Sequence, residues 1–546
     1  MTRGPLLLSI DQGTTGSTVV VFDGLFSVVS RGYAEVHTRY PQPGWVEQDA
    51  EDLWDSVLRA VAQALREGEV SPDAIAAIGV TNQRETTILW DRRTGKPVAE
   101  TIVWQCRRTE GICQQLRDQG LADFYHRSTG LVLDPYFSGT KLHWLLDRHH
   151  LGPRARAGEL AFGTVDSWLL YRLTGGAVHA TDSTNASRTL LMNLRFGQWD
   201  DALLEPLGIP RALLPEIHPS CHRFGETRGV PGLPDGIPIT GVLGDQQAAL
   251  FGQGAIAEGN LKCTYGTGSF LVMNVGRRVP LSPGLLTTVA WNLGACRTGP
   301  TEQPRGEKMP EMRRFEGEYR ESLTEKQRNG RFFAARGATE DLPDRLPGGE
   351  LTYALEGSAF VAGAAVQWLR DQLGLIRTAA EIETLAATVP DSGGVFFVPA
   401  LTGLGAPHWR PEARGLFWGL TRGTQKGHLA RAVLEGIALQ NLELVRLMEA
   451  AAGVAVPYLC VDGGASRNDL LMQFQADVIE RELRRPANIE TTAAGAAMMA
   501  ALGVGLLSDI AGLPEMIRLD RRFIPAMDHE RVRYYTDQWR LIVAKA

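Results

Sequence analysis

Asp11-Gln-Gly-Thr-Thr-Gly-Ser-Thr18 sets one carboxylate ahead of two glycines and four hydroxyls. Glycine lets backbone N–H groups come close to phosphate oxygens, and threonine hydroxyls add donors. A carboxylate at that place can hold a magnesium ion, usually through water, because a hard cation takes oxygen ligands. The same residues would serve a plain hairpin turn, and they are not the GxxxxGK[ST] phosphate loop. Three other stretches carry chemistry of the same kind. Asp245 closes the apolar run Ile237–Gly244 and opens QQAALFGQG. It reads either as a helix N-cap or as a general base at the carboxyl end of a strand. Arg84-Glu85 follows another strand-like run, where adjacent charges can grip neighbouring hydroxyls of a small polyol or form an ordinary surface ion pair. Val461–Asp469 (VDGGASRND) places two glycines between a strand and a helix, a shape that suits a flat ring or a phosphate.

The elements that must position these residues alternate. Leu6–Asp23 and Leu261–Gly276 both read as strand, Gly/Thr turn, strand, which suggests an internally duplicated architecture with a cleft between the halves. Asp49–Glu67, Lys426–Ala451 and Asp469–Glu482 read as helices. Ala74–Thr81, Ile237–Gly244, Phe396–Pro399 and Tyr458–Asp462 read as strands. This alternation predicts an α/β fold. With 546 residues, two domains are expected, at 1–254 and 255–546. One stretch stands apart. From Cys296 to Glu350, 22 of 55 residues are charged, 11 of each sign, with five prolines, so 296–350 is expected to be a charged, disordered insertion.

Composition excludes several classes. Hydrophobic residues make up 44% and charged residues 22%, which argues against wholesale disorder. A net charge of −6 gives no reason to expect nucleic acid or an anionic membrane as partner. No run is long and apolar enough to span a bilayer. The six cysteines are scattered without metal spacing, so free thiols in a reducing cytoplasm are expected.

Longer stretches extend these fragments: YPQPGWVEQDAEDLW, IAAIGVTNQRETTILWD, TIVWQCRRT, GLVLDPYFSGTK, GTVDSWLLYRLTGG, TDSTNASRT, GDQQAALFGQG, TYGTGSF, YALEGS, PALTGLGAPHW and VDGGASRND. In this order, from about Leu6 to about Ile524, the chain resembles the FGGY family of carbohydrate kinases, which has the actin/hexokinase-like ATPase fold. The resemblance implies two ribonuclease H-like domains, and ATP with Mg2+ as cofactors. It implies phosphorylation of glycerol to sn-glycerol 3-phosphate, with another small polyol or ketose as the neighbouring reading. A weakly active, interaction-type homologue is the reading from a different class.

The resemblance also assigns roles. The polyol would be held by Arg84, Glu85, Tyr136, Asp245 and Gln246, with Trp104 and Phe270 as the apolar wall. Asp245 would be the base. Phosphates would meet Thr14, Thr15, Gly16 and Thr267. The nucleotide would meet Gly363, Gln367, Gly464 and Asn468, and the metal would lie by Asp11 and Asp245. Two positions depart from the pattern: Gly16 stands where the family often has Ser, and Thr18 where it often has an Arg near the phosphates. A homo-oligomer is left open.

Overall fold

The computed structural model describes residues 4–294, 351–408, 410 and 412–546. The charged stretch expected to be disordered, 296–350, lies outside the described residues. The protein is built on two mixed sheets. In chain order, the first is made of β1 (Leu6–Gln12), β2 (Gly16–Phe22), β3 (Val28–Glu35), β4 (Ile75–Asn82), β5 (Cys221–Glu226) and β6 (Pro238–Gly244), arranged β5-β6-β4-β1-β2-β3. The second is made of β7 (Leu261–Tyr265), β8 (Ser269–Gly276), β9 (Leu286–Asn292), β10 (Leu351–Ala359), β11 (Tyr458–Asp462), β12 (Glu482–Pro486) and β13 (Leu519–Phe523), arranged β9-β10-β8-β7-β11-β12-β13.

Both sheets repeat one plan. A hairpin carries the Gly/Thr turn, and its first strand pairs in parallel with a later one, β1 with β4 and β7 with β11. Parallel strands covered on both faces need continuous apolar runs. LLLSI and IAAIGV in the first sheet supply them, with Leu8, Ile10, Ile78 and Val80 fully buried. Helix α1 (Ala50–Glu67), capped by Asp49, covers one face through Leu53, Trp54, Val57 and Val61.

The other face of the first sheet is covered by α2 (Asp245–Gly252) and by α3 (Thr491–Gly503), a helix that returns from the far end of the sequence. Helix α3 reads TTAAGAAMMAALG and is apolar all round, as a fully buried helix must be. Its small residues allow close approach. A Cβ added to Gly495 would lie 1.9 Å from the Ala248 carbonyl oxygen of α2. One added to Gly79 of β4 would lie 2.1 Å from that of Ala496. The same apolar cluster takes in Val272, Ala290, Trp291 and Ala354 of the second sheet, so it joins the two halves.

Three expectations need adjusting. The helix predicted over Asp469–Glu482 is α-helical only over Asp469–Ile479. Glu480 takes φ +56° and Glu482 opens β12, where it pairs with Tyr458. Phe396–Val398 is a strand, but it pairs with Leu416–Trp418 in a separate two-stranded ribbon. Of the cysteines, Cys106, Cys113, Cys263 and Cys460 are free and buried, whereas Cys221 is disulfide-bonded, against the expectation of thiols throughout.

Replacing glycine by alanine in a helix interior normally gains about 1 kcal/mol. At Gly495 the clash with backbone at 1.9 Å outweighs that gain. Gly495→Ala is therefore expected to lower stability by about 1–3 kcal/mol, read as a lower Tm in calorimetry. An unchanged or higher Tm would contradict this packing.

Candidate active site

The carboxyl ends of β1, β4 and β6 bring Asp11, Arg84-Glu85 and Asp245 to one edge of the first sheet. Asp245 is the first residue of α2, and Gly244 takes the N-cap position, so the capping alternative for Asp245 falls away. The Asp245 side chain remains 33% exposed and stands 3.1 Å from Arg84 Nε.

Arg84 and Glu85 do not form a surface pair; both are buried. Arg84 donates from Nη1 and Nη2 to Glu356 on β10, at 2.6 and 3.0 Å. Nη1 also reaches Gln247 Oε1 at 3.2 Å. Arg188 completes the knot, donating from Nε to Glu85 at 2.6 Å and from Nη2 to Glu356 at 3.2 Å. Burial alone would raise Glu356, but the Arg188 and Arg84 guanidiniums outweigh it and hold the carboxyl at about 2. Burial pushes Glu85 up, with Arg188 opposing.

Glu85 has φ +61°, an uncommon conformation for a residue with a Cβ. Its carbonyl oxygen accepts from Ser138 Oγ at 3.1 Å and Thr87 Oγ1 at 3.2 Å, which pins that conformation.

Contacts run on from this knot in both directions. The Arg188 guanidinium lies 5.5 Å from the Tyr136 ring centre, and Tyr136 meets Trp104 edge to face at 5.5 Å. Trp104 Nε1 donates to Thr14 Oγ1 at 2.8 Å in the first Gly/Thr turn. On the other side, Gln246 follows Asp245 and accepts at Oε1 from Lys262 Nζ. Lys262 also donates to Thr264 Oγ1 at 2.9 Å and to the Phe270 carbonyl at 3.3 Å. Burial lowers the Lys262 pKa. Arg84, Glu85, Trp104, Tyr136, Asp245, Gln246 and Phe270 thus stand on one continuous chain of contacts.

Thr267 lies exposed in the second turn, which docks on the helix α4 (Gly363–Asp371). There, Gly363 N donates to the Gly266 carbonyl at 3.0 Å, and a Cβ on Gly363 would lie 2.5 Å from that oxygen. Gln367 is exposed on α4. Beyond β11, Gly464 has open space around it. Asn468 caps the helix Asp469–Ile479 by accepting from Leu471 N at 2.9 Å. Thr15 is exposed in the first turn. Gly16 is constrained by Tyr33, because a Cβ there would lie 2.6 Å from Tyr33 Oη.

Asp11 is raised to about 8, first by burial and then by the carboxylates of Asp245 and Glu490. Asp11 and Asp245 are near enough to repel, and such a pair suits a dication between them. Among the described residues no group of three or more His, Cys, Asp or Glu could hold a metal. Asp11 and Asp245 offer the oxygen ligands that magnesium takes, since it keeps its waters and shares itself between one or two carboxylates and substrate phosphates.

Two parts of this site carried no role in the sequence reading. Arg188 and Glu356 lie inside TDSTNASRT and YALEGS, and the only clue was one acidic residue in the otherwise apolar strand Leu351–Leu355 and its continuation.

Residues 6–252 match the FGGY family of carbohydrate kinases, N-terminal domain, and residues 332–504 match its C-terminal domain. The chain belongs to the FGGY family of carbohydrate kinases. This family member is 47% identical over 549 residues to a glycerol kinase of Myxococcus xanthus, covering 100% of both chains. It is 49% identical over 543 residues to a glycerol kinase of Alkalilimnicola ehrlichii, covering 99% of this chain and 98% of that one. A crystal structure of Plasmodium falciparum glycerol kinase with ADP superposes with a TM-score of 0.84 at 32% identity, covering 99% and 98%.

Removing one member of a buried charge network leaves its partners uncompensated. Arg188→Met is expected to cost about 3–5 kcal/mol in urea unfolding. A loss below about 1 kcal/mol would contradict the view that Glu85 and Glu356 depend on the Arg188 charge.

Proposed function

We propose that this kinase transfers the γ-phosphoryl group of ATP to glycerol, giving sn-glycerol 3-phosphate. The observation that carries the reading is the position of Arg84. It is fixed by Glu356 on one side and stands 3.1 Å from the exposed carboxylate of Asp245 on the other. In this reading residues 1–254 carry the polyol and residues 255–546 most of the nucleotide. Arg84 and Glu85 hold adjacent hydroxyls, Gln246 and Tyr136 add hydrogen bonds, and Trp104 and Phe270 cover the carbon chain. The Lys262 contact occupies Gln246 Oε1 and leaves its amide NH2 to donate.

Asp245 accepts the proton of the terminal hydroxyl as its oxygen bonds to the γ-phosphorus. The bond from that phosphorus to the β–γ bridging oxygen breaks, and ADP leaves with the electron pair. Thr14, Thr15, Gly16 and Thr267 meet the phosphates from the two turns. Thr14 Oγ1 accepts from Trp104, which leaves its own proton to donate. Gly363, Gln367, Gly464 and Asn468 face the rest of the nucleotide. A magnesium ion brought with the nucleotide would be held by Asp11 and Asp245 and would neutralise phosphate charge. Phosphoryl transfer depends on alignment and charge stabilisation, and these groups supply both.

Among the described residues no helix is long and apolar enough to cross a membrane. We place the activity in the cytoplasm, where ATP is supplied.

A coupled assay of ADP release with glycerol, dihydroxyacetone, ribulose and xylulose tests this reading. Glycerol is expected to give the highest kcat/KM, and Asp245→Asn to lower kcat by roughly 10²–10⁴ while ADP still binds. A pentulose preferred over glycerol, or a variant keeping more than about a tenth of kcat, would overturn it.

A further inference from the structure

Alternate residues of neighbouring strands share a sheet face. Asp11 of β1 pairs with Thr18 of β2, and Thr18 pairs with Tyr33 of β3. Two residues along, Val20 pairs with Arg31. Asp11, Thr18, Tyr33 and Arg31 therefore lie on one face, the face on which α3 packs through Val20. Arg31 Nη2 stands 3.1 Å from Glu490, the residue just before α3, and the Arg31 side chain is 50% exposed. A guanidinium has five N–H donors, so one carboxylate at a half-open position does not exhaust it.

The charges around the first turn are mostly negative. Asp11, Asp245 and Glu490 bring three carboxylates there, and Arg31 reaches one of them, Glu490, at 3.1 Å. A triphosphate brought to this turn adds further negative charge, and Thr18, the nearer residue on the shared face, is neutral. Strand β3 and the turn are also built as one unit. The Tyr33 ring takes the space a Cβ on Gly16 would need, and the Tyr33 hydroxyl donates to the Thr15 carbonyl at 3.4 Å. The position of β3 relative to the turn, and so of Arg31, is set before any ligand arrives.

We propose that Arg31 is a nucleotide-contacting residue of this kinase, whose guanidinium supplies the positive charge that meets the ATP phosphates above Asp11. The proposal rests on the reading of the two turns as phosphate-binding, and not on which alcohol is phosphorylated. The competing reading is an exposed ion pair that only ties β3 to the start of α3, and such pairs contribute little to stability.

The test compares Arg31→Ala, Glu490→Gln and the double variant Thr18→Arg/Arg31→Ala by ADP calorimetry and by steady-state kinetics with magnesium-ATP. Arg31→Ala is expected to weaken ADP binding and lower kcat/KM for ATP by about 10- to 100-fold, the worth of a charged hydrogen bond. Its KM for glycerol should stay within about twofold. Glu490→Gln should leave ADP binding unchanged or tighter. Thr18→Arg should restore at least about a third of the lost affinity on a logarithmic scale, because position 18 shares the face one strand nearer Asp11. Equal weakening in Arg31→Ala and Glu490→Gln would mean a structural ion pair and would overturn the proposal. So would an Arg31→Ala protein within about twofold of wild type for both ADP and ATP. If Arg31→Ala is insoluble, Arg31→Gln takes its place with the same thresholds. A wild-type protein that binds ADP but does not phosphorylate glycerol would sink the substrate reading alone.

Discussion

The bidentate pair between Arg84 and Glu356 ties the two halves of the molecule together at the point where we propose that the polyol is held. Arg84 follows a strand of the first sheet and Glu356 lies within a strand of the second, 272 residues away. Four charged side chains, two of each sign, are packed there almost without solvent. Desolvating four ions is expensive, and their mutual attraction often only offsets that cost. The knot is better explained by what it fixes than by what it stabilises. It sets the Arg84 fork so that Nε faces Asp245, and it turns Glu85 into a left-handed conformation that its neighbours must hold. Among the described residues one guanidinium nitrogen, Arg188 Nη1, is buried without a hydrogen-bond partner, so the pairing within the knot is incomplete.

Such a knot works only if the two sheets meet at a defined angle, and α2 and α3 provide that joint. Each helix connects the halves, and their backbones touch through Gly252 and Gly495. At the same joint Asp462, at the end of β11, accepts from Gln253 Nε2 at 2.8 Å and from the Thr491 hydroxyl. Gln253 ends α2 and Thr491 begins α3, so one buried carboxylate holds both crossing points.

Much of the fold was legible in the sequence because its signals are local. Both Gly/Thr hairpins, the parallel strands Ile75–Asn82 and Tyr458–Asp462, and the helix Ala50–Glu67 follow from runs of apolar residues ended by turn residues. The placement of polar residues at the strand ends was legible for the same reason: Asp11, Arg84, Glu85 and Asp245 each stand at or just past the end of a strand-like run. What could not be read is long-range. Nothing near Arg84 announces Glu356, and nothing near Gln246 announces Lys262; both partners come from the second sheet. Residues carried over by resemblance alone, such as Gln367 and Asn468, occupy exposed or capping positions that local physics would not single out. The end of the helix at Ile479 was missed because Glu480 and Arg481 have good helix propensity, and the pairing of β12 with β11 overrides it.

In the proposed function Glu356 acts on the polyol through Arg84. Calorimetry on purified Glu356→Gln, titrated separately with glycerol and with ADP, tests it most directly. Glutamine keeps the shape and one acceptor but removes the charge that fixes the guanidinium. The account predicts a loss of glycerol affinity of about tenfold or more, equivalent to ~1.4 kcal/mol, with ADP affinity within about twofold. Glycerol affinity unchanged, or a parallel loss of ADP affinity, would contradict it.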